Sequence, residues 1–125
     1  MTPLAKETSL TNPSRGEIWF IDFDPPLGAE IKKTRPAVVI SVDSVGRLPL
    51  RIVVPITSWK AEYGTRPWLV YLSPDALNRL EKASAADCFQ VKSVALERFR
   101  SKAGTLTRPE LDEIAHAIAL CVGLP

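Results

Sequence analysis

Apolar residues cluster along this chain in short runs separated by proline, glycine and charge, which is the spacing of strands rather than of helices. Glu17 to Phe23 (EIWFIDF) has a β-rich composition. Pro36 to Val42 (PAVVISV) and Leu50 to Ser58 (LRIVVPITS) are compact runs of Val and Ile, and each predicts a buried or half-buried strand. Trp68 to Leu72 and a pair around Phe89 to Phe99 continue the series at spacings that suit a small barrel or sandwich. Pro55 interrupts the third run. Because proline brings no N–H to a ladder, an edge position or a bulge is expected there, directly before Thr57 and Ser58.

The pattern changes at Thr107. Thr107 and Glu110 have capping-box spacing and Pro109 suits a first turn. Leu111, Ile114, Ala115, Ile118, Cys121 and Val122 then recur at helical spacing until Gly123. Asp112, Glu113 and His116 fall on the opposite, wetter side, which makes the only histidine a surface residue. A second, shorter helix is expected over Pro74 to Glu81, with Ser73 or Asp75 near its cap. The class that follows is mainly β with a C-terminal α-helix. Residues 1–14, polar and carrying Pro3 and Pro13, read as a flexible N-terminal segment, with one domain over 15–125.

Composition narrows the chemistry. The chain has 125 residues, 46% of them hydrophobic, enough for one domain with a real core. One histidine and two cysteines, Cys88 and Cys121, leave too few parts for a His/Cys zinc site, a disulfide scaffold or a triad built without His116. No metal or cofactor is expected. No run approaches the ~18 consecutive apolar residues of a membrane span, and the N-terminus lacks the apolar core of a signal peptide. A cytoplasmic protein with reduced cysteines and no membrane partner is expected. The net charge of +2 is small, yet the stretch from Glu30 to Arg66 carries +4 and the remainder −2. A polyanion would dock on that stretch, unless its charges are only those of solvated loops.

Candidate chemistry concentrates between Asp22 and Ser41 (DFDPPLGAEIKKTRPAVVIS). Pro25, Pro26 and Gly28 turn the chain into a charged loop longer than a hairpin needs. Arg35 stands where that loop meets the next strand. Pro36 fixes its own φ and confines the residue before it to extended conformations. An arginine held that way is a pre-aimed fork for a phosphate.

Taken in order, RGEIWFIDFDPPLGAE, RPAVVIS, VVPITS, QVKSV and a final helix ending ALCVGL resemble the MazF/PemK/Kid family of toxin endoribonucleases from type II toxin–antitoxin pairs, over about Arg15 to Leu124. The resemblance implies a small, strongly bent SH3-like or CcdB-like β-barrel with a C-terminal helix, forming a homodimer. It implies catalytic roles for Arg35, directly before the PAVV strand, and for Thr57, two residues after the proline of VVP. Glu30, in the G-x-E element, is the third. Family members cleave single-stranded RNA at short sequences without metal, using the ribose 2′-hydroxyl and leaving a 2′,3′-cyclic phosphate and a 5′-hydroxyl. A MazE-like antitoxin with an acidic, disordered tail neutralises them. Phe89 stands where many relatives have aspartate, and Asp87 lies two residues upstream.

The poor inventory suits that reaction. Attack by a neighbouring hydroxyl is intramolecular, so alignment supplies much of the acceleration. A guanidinium and a hydroxyl donor can then stabilise the phosphorane-like charge. Arginine, with a pKa above ~12, is a poor base. Glu30 is therefore expected to be the base or to orient Arg35. Ser58 is a candidate assistant to Thr57. Lys32, Lys33, Arg47, Arg51, Lys60 and Arg66 are candidates to track phosphates, and Trp59, Tyr63 and Trp68 to stack bases. Trp19 and Phe23 belong to the core. The plain alternatives are a surface Arg35–Glu30 ion pair and an ordinary strand threonine. The competing function is a CcdB-like non-enzymatic toxin or binding module acting on DNA gyrase, which needs no Arg35–Thr57 pair.

Overall fold

The structure, a computed structural model, describes residues 12–124. Seven strands and one α-helix make it up: β1 (Glu17–Asp22), β2 (Thr34–Val39), β3 (Leu50–Ser58), β4 (Leu69–Leu72), β5 (Ser84–Asp87), β6 (Lys92–Ala95), β7 (Phe99–Thr105) and α1 (Arg108–Cys121). The strands pair antiparallel in the order β4-β5-β3-β2-β1-β7, with β6 also on β3. The mainly β class with a C-terminal helix is therefore observed. Among the described residues the path ends at β4 and β7, so the bent sheet is an open barrel rather than a closed one.

Both faces of the central strands are covered, which is why their sequences are continuous apolar runs instead of alternating ones. Ile18, Val38, Val54 and Ile56 pack on one side with Leu111, Ile114 and Ala117 of α1. Trp19, Ile21, Ala37, Val39 and Val53 form a second cluster with Phe23, Val94 and Phe99. The expected core positions of Trp19 and Phe23 are met. Helix α1 starts as expected, with the Glu110 N–H donating to Thr107 Oγ1 and the Thr107 N–H donating to Glu110 Oε1 at 2.8 Å. Its buried stripe is Leu111, Ile114 and Ala117, whereas Ala115 and Val122 are exposed. Asp112, Glu113 and His116 are exposed, as expected.

Two local expectations are revised for physical reasons: of the edge or bulge expected at Pro55 only an irregularity is found, and the short helix is absent. Pro55 is not on an edge strand. β3 is central, bonded to β2 on one side and to β6 and then β5 on the other. On that second side the ladder stops after Val53 and resumes at Ile56, opposite the 3-10 turn Cys88–Gln90. Pro55 sits at this break. The helix expected over Pro74 to Glu81 does not form. Asp75 Oδ1 takes the N–H groups of Leu77 and Asn78, Asn78 Oδ1 takes those of Asp75 and Leu80, and Arg79 turns to φ 55. These side chains outcompete the helical ladder. Between that loop and the 3-10 turn lies β5, a strand with no Val or Ile. Its Ala85 and Ala86 are fully buried where it pairs with β3 on one side and β4 on the other.

The pair expected around Phe89 to Phe99 is split by a turn at Leu96–Arg98 into β6 and β7. Of the expected N-terminal segment, only residues 12–14 fall among those described. They dock on the fold, where Arg51, 7% exposed, donates to the Pro13 carbonyl and to Asn12 Oδ1.

Candidate active site

The loop between β1 and β2 is tied down at its two ends. The Phe23 N–H donates to the Lys33 carbonyl at 3.0 Å and the Lys33 N–H to Asp24 Oδ1 at 2.7 Å. Farther along, the Ile31 N–H donates to Gln90 Oε1 at 2.7 Å, and Gln90 Nε2 in turn donates to Asp87 Oδ2. Arg35 emerges from this frame within β2. Its Nε donates to the Lys32 carbonyl at 3.3 Å, and among the described residues its two terminal nitrogens make no hydrogen bond. The outer edge of the guanidinium is thus held in orientation and left open.

β2 and β3 pair through Ala37↔Pro55. Continuing that register by two residues sets Arg35 against Thr57. Both line one cleft of about 550 Å³, together with Ser58, Phe20, Pro36 and Ile56. Residues of both strand parities contribute, so the cleft opens over the strand ends, where β2 begins and β3 finishes. Its remaining wall comes from Arg79, Leu80, Glu81 and Lys82, with Lys102 and Ala103 of β7.

Electrostatics in the cleft is cationic: Arg35, Arg79, Lys82 and Lys102 against Glu81. Lys102 Nζ lies 3.1 Å from Glu17 Oε2. Burial pushes the Glu17 carboxyl up, but the Ser14 N–H, the Trp19 indole N–H and Lys102 together outweigh it and hold it below its ordinary value. Glu17 is therefore ionised at neutral pH and restrains Lys102.

Of the remaining residues singled out from the sequence, several lie elsewhere. Glu30 does not line the cleft. It is exposed, its Oε1 accepts the Leu27 N–H within its own loop, and no Glu30–Arg35 ion pair forms among the described residues. Lys32, Lys33 and Arg47 are exposed on loops outside the cleft lining. Arg51 is corrected outright, because its guanidinium is spent on the Pro13, Leu48 and Leu50 carbonyls and on Asn12. Beyond Ser58, Trp59 stacks edge-on with Tyr63 and Tyr71 at centroid distances of 5.7 and 5.0 Å, and Arg66 lies over the Tyr63 ring. Lys60 is exposed beside this cluster. Trp68 packs edge-on against Phe89 instead. Sequence reading missed Arg79, Lys82 and Lys102, which carried no signal beyond their charge.

Asp87 caps the 3-10 turn by accepting the Phe89 N–H, so the carboxylate two residues upstream of Phe89 serves the Gln90 tether. Among the described residues no group of three His, Cys, Asp or Glu side chains converges as a metal requires, and no helix is long and apolar enough to cross a membrane. Both cysteines are free, and burial pushes the Cys88 thiol up to about 12.

Comparison with known proteins identifies the family. The chain is 35% identical over 116 residues to the endoribonuclease MazF9 of Mycobacterium tuberculosis, covering 88% of this chain and 96% of that protein. It is 34% identical over 113 residues to the endoribonuclease toxin MazF of Escherichia coli K12, covering 89% and 95%. The fold matches the crystal structure of MazF from Deinococcus radiodurans with a TM-score of 0.75 at 23% identity, over 90% of this chain and 97% of that one. It also matches a mycobacterial endoribonuclease in complex with its cognate antitoxin, with a TM-score of 0.71 at 18% identity, over 90% and 97%. With residues 14–122 matching its description, the chain belongs to the family of PemK-like, MazF-like toxins of type II toxin–antitoxin systems.

Proposed function

We propose that this chain is a toxin endoribonuclease that cleaves single-stranded RNA without metal, at short sequences, through the substrate's own 2′-hydroxyl. The observation that carries the reading is that Arg35, with its terminal nitrogens open, and Thr57 line the same cleft. The 2′-oxygen forms a bond to the adjacent phosphorus while the bond to the 5′-oxygen breaks. The 2′-proton passes to solvent or a base, and the departing 5′-oxygen takes up a proton. The products are a 2′,3′-cyclic phosphate and a 5′-hydroxyl. Arg35 spans two non-bridging oxygens of the phosphorane and Thr57 donates to a third position, in a preorganised arrangement that needs no imidazole. Glu30 acts by holding the loop, since its carboxylate is occupied with the Leu27 N–H.

A cognate antitoxin with an acidic tail competes with RNA for the cationic cleft, by charge complementarity. A homodimer is part of the same reading, and Leu48, Leu50 and Ile52 offer it exposed apolar surface. The test is incubation of the purified protein with a long single-stranded RNA in EDTA. Cyclic-phosphate ends at defined positions are expected, and Arg35→Ala or Thr57→Ala is expected to slow the cut by about 10²- to 10³-fold. Inert RNA together with binding to DNA gyrase would establish the CcdB-like alternative.

A further inference from the structure

The loop between β4 and β5 is packed and hydrogen-bonded onto β7. Asn78 at its centre is 1% exposed, and its Nδ2 donates to the Ser73 carbonyl at 2.8 Å. The Thr105 N–H of β7 donates to the Leu77 carbonyl at 3.0 Å. Beside it, a Cβ on Gly104 would lie 2.3 Å from the Asn78 carbonyl oxygen, so the loop rests directly on the β7 backbone. Arg79 follows Asn78 at φ 55, a left-handed conformation that arginine seldom adopts and that the packed loop imposes.

This scaffold holds two cations at the cleft. Arg79 and Lys82 line the cleft that contains Arg35 and Thr57, and among the described residues neither side chain makes an ion pair or a hydrogen bond. Glu81 lines the cleft between them in sequence and leaves this wall at +1. Lys102 is already engaged by Glu17.

The geometry points to Arg79 and Lys82 as a second set of phosphate ligands, which hold RNA phosphates flanking the one bound at Arg35. This rests on the cleavage reading above. Single-strand binders follow the backbone with a row of cations, and a lone arginine at the scissile phosphate would not fix the in-line geometry that attack by the 2′-hydroxyl needs.

The experiment uses the RNA cut in the assay above, made with 2′-deoxyribose at the cut position so that it binds intact. Affinity is measured by fluorescence anisotropy between 50 and 200 mM KCl. Each single-strand phosphate contact contributes about 0.7 to the slope of log affinity against log salt. Arg79→Asn and Lys82→Gln are each expected to lower the slope by about 0.7, and the double variant by about 1.4. In the cleavage assay KM is expected to rise by more than kcat falls. Asparagine is chosen at 79 because it tolerates the left-handed backbone. Should Arg79→Asn fail to fold by circular dichroism, Lys82→Gln carries the test alone. Arg108→Gln, which removes an exposed cation on α1, is the control and should keep the full slope.

Full slopes in Arg79→Asn and Lys82→Gln, in a protein that cuts and binds the RNA, would overturn this assignment and leave the cleavage reading intact. So would variants that weaken binding of an acidic peptide but not of RNA. A wild-type chain that neither cuts nor binds RNA would overturn both.

Discussion

Two arginines of this chain begin with the same chemistry and end with opposite roles. Arg51 spends its guanidinium on backbone carbonyls inside the fold, whereas Arg35 spends one nitrogen on Lys32 and keeps its fork open. Sequence separated them only in part. Pro36 flagged Arg35 as conformationally fixed, but nothing local to Arg51 reports its burial, because the Pro13 carbonyl and Asn12 side chain that complete its shell lie 38 and 39 residues away along the chain. Glu30 illustrates the reverse problem. Its position in the sequence suggests a base or a partner for Arg35, yet its carboxylate closes its own turn on Leu27 at 2.6 Å. Glutamine retains an oxygen that accepts the same N–H. Glu30→Gln is therefore expected to keep cleavage within about threefold of wild type in single-turnover assays, set against the 10²- to 10³-fold loss for Arg35→Ala. A Glu30→Gln loss as large as that of Arg35→Ala would return the proton-transfer role to Glu30.

At the scale of elements, legibility followed the source of each element's stability. β3 was readable from end to end, Leu50 to Ser58, since Val and Ile favour strands and its stretch from Val53 to Ile56 is buried without interruption. α1 was readable from its capping box. β5 was not, because Ser-Ala-Ala-Asp has no strand preference of its own and becomes a strand only when β3 and β4 close on it. The loop before it misled in the other direction. Its composition suits a short helix, but Asp75 and Asn78 satisfy the local N–H groups without one, and the bare backbone of Gly104 lets the turn seat against β7. Gly104→Ala is accordingly expected to cost about 1–3 kcal/mol, the usual range for overpacking a tight contact, read as a lower urea midpoint at unchanged slope. Because the displaced loop carries Arg79 and Lys82, the same variant should raise KM for RNA even at urea-free conditions where it is fully folded. By contrast, Thr107→Ala should cost about 1 kcal/mol through the lost cap and leave KM alone, since α1 lies away from the cleft lining.

Across the whole molecule, the site depends on how β1 and β7 are joined, because β1 brings Phe20 to the cleft and β7 brings Lys102 and Ala103. The ladder between them shifts register twice. Two carboxylates of β1 reinforce it from either end: Glu17 pairs with Lys102 at 3.1 Å, and Asp22 pairs with Arg100 at 3.1 Å. Both carboxyls sit below their ordinary values of 4.5 and 3.8. For Glu17, burial works against ionisation and is outweighed by the Ser14 and Trp19 N–H groups and Lys102; for Asp22, the Asp24 N–H is the main cause, with Arg100 adding to it. A carboxyl with a lower pKa in the folded state than in the unfolded one binds fewer protons when folded, so stability rises with pH across that interval. The stabilisation is complete above the unfolded values and disappears as pH falls through the folded ones. Urea midpoints are therefore expected to stay level from pH 7 to about 5 and to fall below pH 4.5. Glu17→Gln should begin lower at pH 7 and fall less steeply on acidification, which curves of midpoint against pH for the two proteins would test. If the two curves run parallel through the acid range, the Glu17–Lys102 contact contributes nothing to holding β7, and the cleft wall it carries, against β1.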